Sequence, residues 1–135
     1  MNYSTATQQA INDIQTLAEG DNDPVRAGLQ LAIYAWQTCD PHPATAGKWA
    51  MFGNGLSAAV DELDPPPHAY VIVLDDPAVP DTAQVRHQTV ALTTALAEHL
   101  EAASGDPRHA PRQRWAWATA AARLRTAAHD LVHWP

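Results

Sequence analysis

The chain is poor in the residues that support disulfides and membrane spans. Among its 135 residues Cys39 is the only cysteine, so no disulfide can form within the chain. The position of Cys39 at the end of an apolar segment favours a packed thiol. No stretch approaches the roughly 18 consecutive apolar residues of a membrane-spanning helix, and no basic N-terminal head precedes an apolar run. We therefore expect a soluble, cytoplasmic protein without a membrane partner.

Residue patterns typical of catalysis are also scarce. Serine occurs three times, at Ser4, Ser57 and Ser104. Ser57 lacks the second glycine and the preceding strand of a nucleophile elbow. The acidic pairs Asp61–Glu62 and Asp75–Asp76 lie near the ends of predicted elements, where water would keep them from acting as an enclosed acid and base. The sequence therefore contains no enzyme signature, which favours a protein that is not an enzyme and binds no cofactor.

Charge is distributed unevenly around the net value of −7. Residues 1–106 contain 14 acidic side chains against three basic ones, a net charge of −11, whereas residues 107–135 contain five arginines against one aspartate, a net charge of +4. The simpler interpretation is that a basic last helix docks on an acidic body. The alternative is that one face of the protein meets a charged partner.

The segment from Asp23 to Cys39 has the strongest helix signals in the chain. Asp23 can cap the first turn, Pro24 suits the first helical position, and residues 40–41 (Asp-Pro) end the run. At about 100° per residue two opposite faces are apolar. One face contains Val25, Leu29, Ala32, Ile33 and Trp36, and the other contains Ala27, Leu31, Tyr34 and Thr38. Because such a helix needs neighbours on most sides, we expect it to be the buried centre of a bundle.

Four further helices are predicted from apolar periodicity and from start and stop residues. They run from Ser4 or Thr5 to near Gly20, from beyond Pro43 to about Leu63, from Asp81 or Thr82 to about Ala103, and from near Pro111 almost to the end. The third helix should continue through Gly53 and Gly55, and Gly53 on its apolar face would let another backbone come close. The sequence thus predicts one all-α domain over residues 1–135 that contains five helices, with the second one buried at the centre.

Residues 64–80 are the most irregular part of the sequence. Their five prolines rule out a long helix, and Tyr70 to Leu74 is the only strand-like run in the chain. A short helical turn, an extended strap across the core and an edge pairing with a second copy are all compatible with this run, and we favour the turn or the strap. A partner could dock here, which makes Tyr70 and Ile72 candidate interface residues.

The fifth helix has a large aromatic residue on the side opposite its core stripe. Trp115 shares this side with Thr119, Ala122, Thr126 and His133. Either the fifth helix is sandwiched between other elements, or Trp115 is partly exposed. In the second case, a tryptophan on a face of small residues is a reasonable interface anchor. We therefore predict a small accessory or regulatory protein that acts by protein–protein interaction and self-associates through its fourth and fifth helices.

Two other functions remain open from the sequence. The arginines of the last segment, interleaved with two tryptophans, are the basis of a nucleic-acid-binding alternative; they are Arg108, Arg112, Arg114, Arg123 and Arg125. Their scatter around the helix and the charge of −11 elsewhere argue against it. His129 and His133, four residues apart, are weak candidates for a metal-dependent enzyme, but a zinc site usually needs a third protein ligand. Solvated histidines without a metal are the expected state.

Overall fold

The chain folds into five α-helices, as seen in a computed structural model that describes residues 1–17, 22–63, 74–75 and 78–135. These are α1 (Tyr3–Gln15), α2 (Asp23–Thr38), α3 (Ala46–Asp61), α4 (Ala83–Ser104) and α5 (Pro111–His133). The described residues contain no strand. The prediction of an all-α bundle of about five helices is therefore confirmed.

The helix ends follow local signals, although both ends of α1 differ from the prediction. The helix begins at Tyr3 because the Asn2 side chain accepts a hydrogen bond from the Thr5 backbone N–H at 2.8 Å, so Asn2 takes the capping role expected of Ser4 or Thr5. It also ends at Gln15, well before Gly20. At α4, Thr82 is the cap, since its side chain accepts a hydrogen bond from the backbone N–H of Val85 at 3.1 Å.

The apolar faces of α2 meet three other helices. The helix packs against α1, α3 and α4 and has no contact with α5. Its buried residues are Val25, Gly28, Leu29, Leu31, Ala32 and Ala35. Three of them come from one predicted apolar face and Leu31 comes from the other, whereas Gly28 and Ala35 were predicted on neither face. The most extensive packing lies elsewhere, between α4 and α5 and between α3 and α5. Because α4 and α5 are the longest helices, they share the longest contact.

Two glycines of α3 determine how closely its neighbours approach. The helix runs without interruption through Gly53 and Gly55, as predicted. The close backbone approach, however, occurs at Gly55, where an added Cβ would lie 2.8 Å from the Cβ of Ala127 and 3.1 Å from its Cα. Gly53 instead receives the indole ring of Trp36 from α2. The two glycines therefore seat two different neighbours on one helix.

Most of the predicted strap lies outside the described residues, and so do the candidate interface residues Tyr70 and Ile72. Near its described end, Val79 is buried at 2% exposure, and its backbone N–H donates to the Thr38 hydroxyl at 3.3 Å. The Asp75 carboxylate lies 2.8 Å from the amino group of Met1. Within the described part of the chain, no helix is long and apolar enough to cross a membrane.

Candidate functional site

One side of α5 is exposed along most of its length. We call this surface the outer face of α5, defined by Trp115, Thr119, Ala122, Thr126, His129 and His133, and its members alternate spacings of four and three residues. Trp115 is 68% exposed, the largest value for any tryptophan among the described residues. Thr119 is half-buried, and the other four residues are exposed.

The threonine hydroxyls of the outer face are bonded to the helix itself. Thr119 Oγ1 donates to the carbonyl oxygen of Trp115 at 2.9 Å, and Thr126 Oγ1 donates to that of Ala122 at 3.1 Å. With their hydrogens used in this way, the threonines do not require a water or a partner to satisfy their donors. When its two histidines are neutral, the face has no charge. It presents mainly small side chains beside one large aromatic ring.

Trp115 is left uncovered because α5 packs against its neighbours through the opposite side. The residues that pack inward are Ala120, Ala121, Leu124, Ala127, Ala128 and Leu131, and all are buried. They meet α3 and α4, the two helices that contact α5. Trp117 lies at the border, half-buried, with its ring 4.7 Å from that of His109 in an edge-to-face arrangement. The outer face therefore points away from every neighbouring helix in the described structure.

Most of the arginines proposed for nucleic-acid binding are engaged within the protein. Arg125 forms a bidentate pair with Glu101 on α4, in which its Nη2 lies 2.9 Å from Oε2. Arg108 pairs with Asp106 at 2.7 Å, and Arg114 Nε donates to the carbonyl oxygen of Ser104 at 2.8 Å. The remaining two, Arg112 and Arg123, are exposed and form no salt bridge with other described residues.

The predicted histidine pair is brought together on the outer face. The rings of His129 and His133 have centroids 4.6 Å apart, and His129 Nδ1 lies 3.9 Å from an Asp130 carboxylate oxygen. Among the described residues, no group of three or more histidine, cysteine, aspartate or glutamate side chains is arranged to hold a metal ion. His129 was not among the predicted interface residues, although its spacing from Thr126 and His133 places it on the outer face.

Cys39 is packed and unreactive. It is half-buried and lies against the hydrophobic core. Burial, and then the negative charges of Asp81 and Asp40, raise the pKa of its thiol to about 11. At neutral pH the thiol is therefore protonated, which is the inert form.

The buried carboxylate of Asp81 joins three parts of the fold. From the sequence, Asp81 was predicted only as a possible start of the fourth helix. Asp81 is 8% exposed, and one of its oxygens accepts hydrogen bonds from the backbone N–H of His42 at 3.0 Å and from the Thr45 hydroxyl. The other oxygen accepts from Trp49 Nε1 at 3.1 Å and from the Arg86 guanidinium. The four donors come from the α2–α3 connection, α3 and α4, so Asp81 ties these segments together.

The hydrogen bonds to Asp81 determine its ionisation. Burial alone would raise the pKa of this carboxyl, but the hydrogen bonds from Thr45, Trp49, the His42 backbone and Arg86 outweigh that effect and lower the pKa to about 2. The ionised carboxylate thus accepts four hydrogen bonds, two at each oxygen. Because those donors surround it, Asp81 serves the fold and offers no open position to a substrate.

We expect part of the stability to be lost as the pH falls from about 4 to 2. The folded pKa of Asp81, about 2, lies below its ordinary value of 3.8, so the unfolded chain binds the proton first as the pH falls. The contribution is complete above pH 4, is worth roughly 2 kcal/mol, and disappears through the folded pKa. Urea unfolding between pH 2 and pH 5 measures it, with Asp81→Asn as the control. Equal pH slopes for the two proteins would contradict this assignment.

The outer face of α5 and the hydrogen-bonded carboxylate of Asp81 therefore differ in whether a partner could reach them. Asp81 is surrounded by protein donors, whereas Trp115 and its neighbours have no covering helix in the described structure. No protein-family model, curated protein or solved structure matches this chain.

Proposed function

We propose that this protein is a small accessory or regulatory protein that acts by binding a protein partner through the outer face of α5. The observation that carries the proposal is the 68% exposure of Trp115 on a face without charged side chains. Burying an aromatic of this size against a partner stabilises a complex through the large apolar area removed from water. Tryptophan is also among the residues most enriched at the energetic centres of protein interfaces.

The arginine contacts support a protein partner over nucleic acid. Binding to a phosphate backbone depends on several cations that are free to displace counterions. Arg108, Arg114 and Arg125 already donate to groups of the protein. Of the five arginines, Arg112 and Arg123 are therefore the ones available to bind phosphate in the described structure. The rest of the chain has a strongly negative net charge, which would repel phosphate.

Replacing Trp115 by alanine should leave the fold intact and weaken partner binding. Because the side chain is mostly exposed, the free energy of unfolding should change by about 0.5 kcal/mol or less. Loss of an interface anchor typically costs about 2 kcal/mol or more, so binding should fall at least about tenfold. Chemical denaturation and a binding assay measure the two effects. As a control, Trp117→Ala removes a half-buried ring and should destabilise the fold. If Trp115→Ala abolished cooperative unfolding, Trp115 would instead be part of the core.

A site-specific photo-crosslinker tests the proposal in the cells that produce the protein. Benzoylphenylalanine at Ala122 would lie on the outer face, and the same group at Gln8, exposed on α1, serves as the control. We expect a discrete protein adduct from position 122, strongly reduced by Trp115→Ala, and none from position 8. An absence of protein adducts, equal adducts at both positions, or an adduct with nucleic acid at position 122 would overturn the proposed function.

A further inference from the structure

One edge of the outer face of α5 has two opposite charges that are not matched within the chain. At about 100° per residue, Arg112 and Asp130 lie at the same angle around the helix. Arg112 is exposed and forms no salt bridge with other described residues. The basic group that Asp130 contacts is His129, whose Nδ1 lies 3.9 Å from the carboxylate. Among the described residues, neither charge therefore has a permanent counter-charge.

Distance along the helix keeps these two charges apart within one chain. Arg112 and Asp130 are separated by five helical turns, which is about 27 Å at a rise of about 1.5 Å per residue. Two antiparallel copies of α5 related by a two-fold axis remove this separation, because each edge then meets the same edge of the other copy. Arg112 of one copy can lie opposite Asp130 of the other, and the symmetry forms this pair twice.

The register that forms the two charge pairs also suits the sizes of the other residues on the face. It places Ala122 of both copies beside the two-fold axis, with Thr119 next to it. Small side chains at this point let two helices approach closely. Trp115 of each copy would lie between Thr126 and His129 of the other, inside the contact. The outer face is therefore complementary to itself in size as well as in charge.

Two sources of like-charge repulsion oppose this pairing without preventing it. Arg123 would lie opposite Thr119 of the other copy, but it is about 80° from Trp115 around the helix, so its charge can stay in water. Each copy also has a net charge of −7, although its excess of acidic residues lies in residues 1–106, outside the helix that forms the contact. Salt at about 0.1 M largely screens exposed charges that are more than about 10 Å apart.

We infer that the partner of the outer face is a second copy of this chain, an inference that rests on the proposed function. The two α5 helices pack antiparallel, with Trp115 of each copy inside the contact and a salt bridge between Arg112 and Asp130 at each end. A guanidinium group suits this role because it can bind a carboxylate through two parallel hydrogen bonds. Because the contact is closed by two-fold symmetry, it produces a dimer and no larger assembly.

An exchange of charges between two variants tests this register at about 0.15 M salt. Arg112→Asp and Asp130→Arg each place like charges opposite one another at both ends, so each should weaken dimerisation at least about tenfold in light scattering. When the two variants are mixed, both ends again join an aspartate to an arginine. Native mass spectrometry should then detect a mixed dimer. As a control, Arg26→Asp on α2 should dimerise like the wild type.

A second variant covers a failure of Asp130→Arg to fold, which circular dichroism detects. Asp130 is partly buried, with a side-chain exposure of 17%. Asp130→Asn is close to the native side chain in size and removes the negative charge. Added to Arg112→Asp in one chain, it should remove the repulsion between aspartates and strengthen dimerisation relative to Arg112→Asp alone. No gain from this second change would contradict the pairing of Arg112 with Asp130.

The outcomes separate the partner inference from the proposed function. A wild-type chain that is still a monomer at about 0.1 mM overturns the inference, and so does a dimer that Trp115→Ala leaves unchanged. A mixed dimer of Asp130→Arg with Arg123→Asp, but not with Arg112→Asp, would reveal a shifted register with Trp115 outside the contact, which also overturns it. A crosslink from position 122 to a different protein overturns only the identity of the partner. The proposed function fails separately, when position 122 gives no protein adduct.

Discussion

Replacing Asp81 by alanine is expected to destabilise the protein by about 3 to 4 kcal/mol. The change removes the acceptor of the Trp49 indole N–H and the His42 backbone N–H, and it leaves the guanidinium of Arg86 partly buried without its counter-charge. Breaking a buried ion pair from one side typically costs about 3 to 5 kcal/mol, because an uncompensated charge stays in the interior. Urea unfolding followed by circular dichroism at pH 7 measures the loss.

Two further variants test whether this loss comes from the stranded donors. Asp75→Ala removes a carboxylate whose side chain is 72% exposed and pairs with the chain terminus, so it should change the stability by about 0.5 kcal/mol or less. Adding Arg86→Met to Asp81→Ala removes the stranded charge and should recover part of the stability. A loss below about 1 kcal/mol for Asp81→Ala, or no recovery with Arg86→Met, would contradict the assigned role.

Replacing Gly53 by alanine is expected to destabilise the protein by about 2 kcal/mol, although alanine is the better helix former. An added Cβ would overlap three atoms of the Trp36 indole, a rigid ring held between α2 and α3. Overpacking typically costs about 1 to 3 kcal/mol, and overlap with three atoms of a ring places this change near the upper end, about 3 kcal/mol. This outweighs the roughly 1 kcal/mol by which alanine is favoured over glycine inside a helix. Thermal or urea unfolding measures the net effect.

A double-mutant cycle isolates the clash. In a Trp36→Ala background the ring is absent, so Gly53→Ala should change sign and stabilise the protein by up to about 1 kcal/mol, the helix-propensity gain. Gly47→Ala serves as a control in the native background, because its added Cβ would meet the partly exposed ring of Trp134 at 3.1 Å and, at the ordinary contact distance of 3.6 Å, the backbone oxygen of Pro135. Destabilisation by Gly53→Ala that persists without the Trp36 ring would show that the clash is not the cause.

The number and the approximate bounds of the helices were predictable because their signals are local. Pro24 at the start of α2, Thr82 before α4 and Pro111 at the start of α5 act on backbone groups within one turn. The helical period predicted that Trp115 lies on the side of α5 opposite its core residues. That this side is exposed depends on where the other helices pack. The start of α1 was misplaced because Asn2, rather than Ser4 or Thr5, supplies the cap.

Tertiary structure alone decided which distant residues meet. Asp81 is a structural centre because its donors are His42, Thr45 and Trp49 from 39, 36 and 32 residues earlier, together with Arg86. Gly55 rather than Gly53 admits a neighbouring backbone because α5 crosses α3 at Ala127. Packing also decided which cations of α5 are unpaired, because Arg125 pairs with Glu101 on α4, whereas Arg112 and Arg123 have no such partner among the described residues.

The sequence by itself determined the helices and their faces, since these depend on neighbours along the chain. Which faces and charges remain open depends on packing between segments far apart in the chain, which no local pattern encodes.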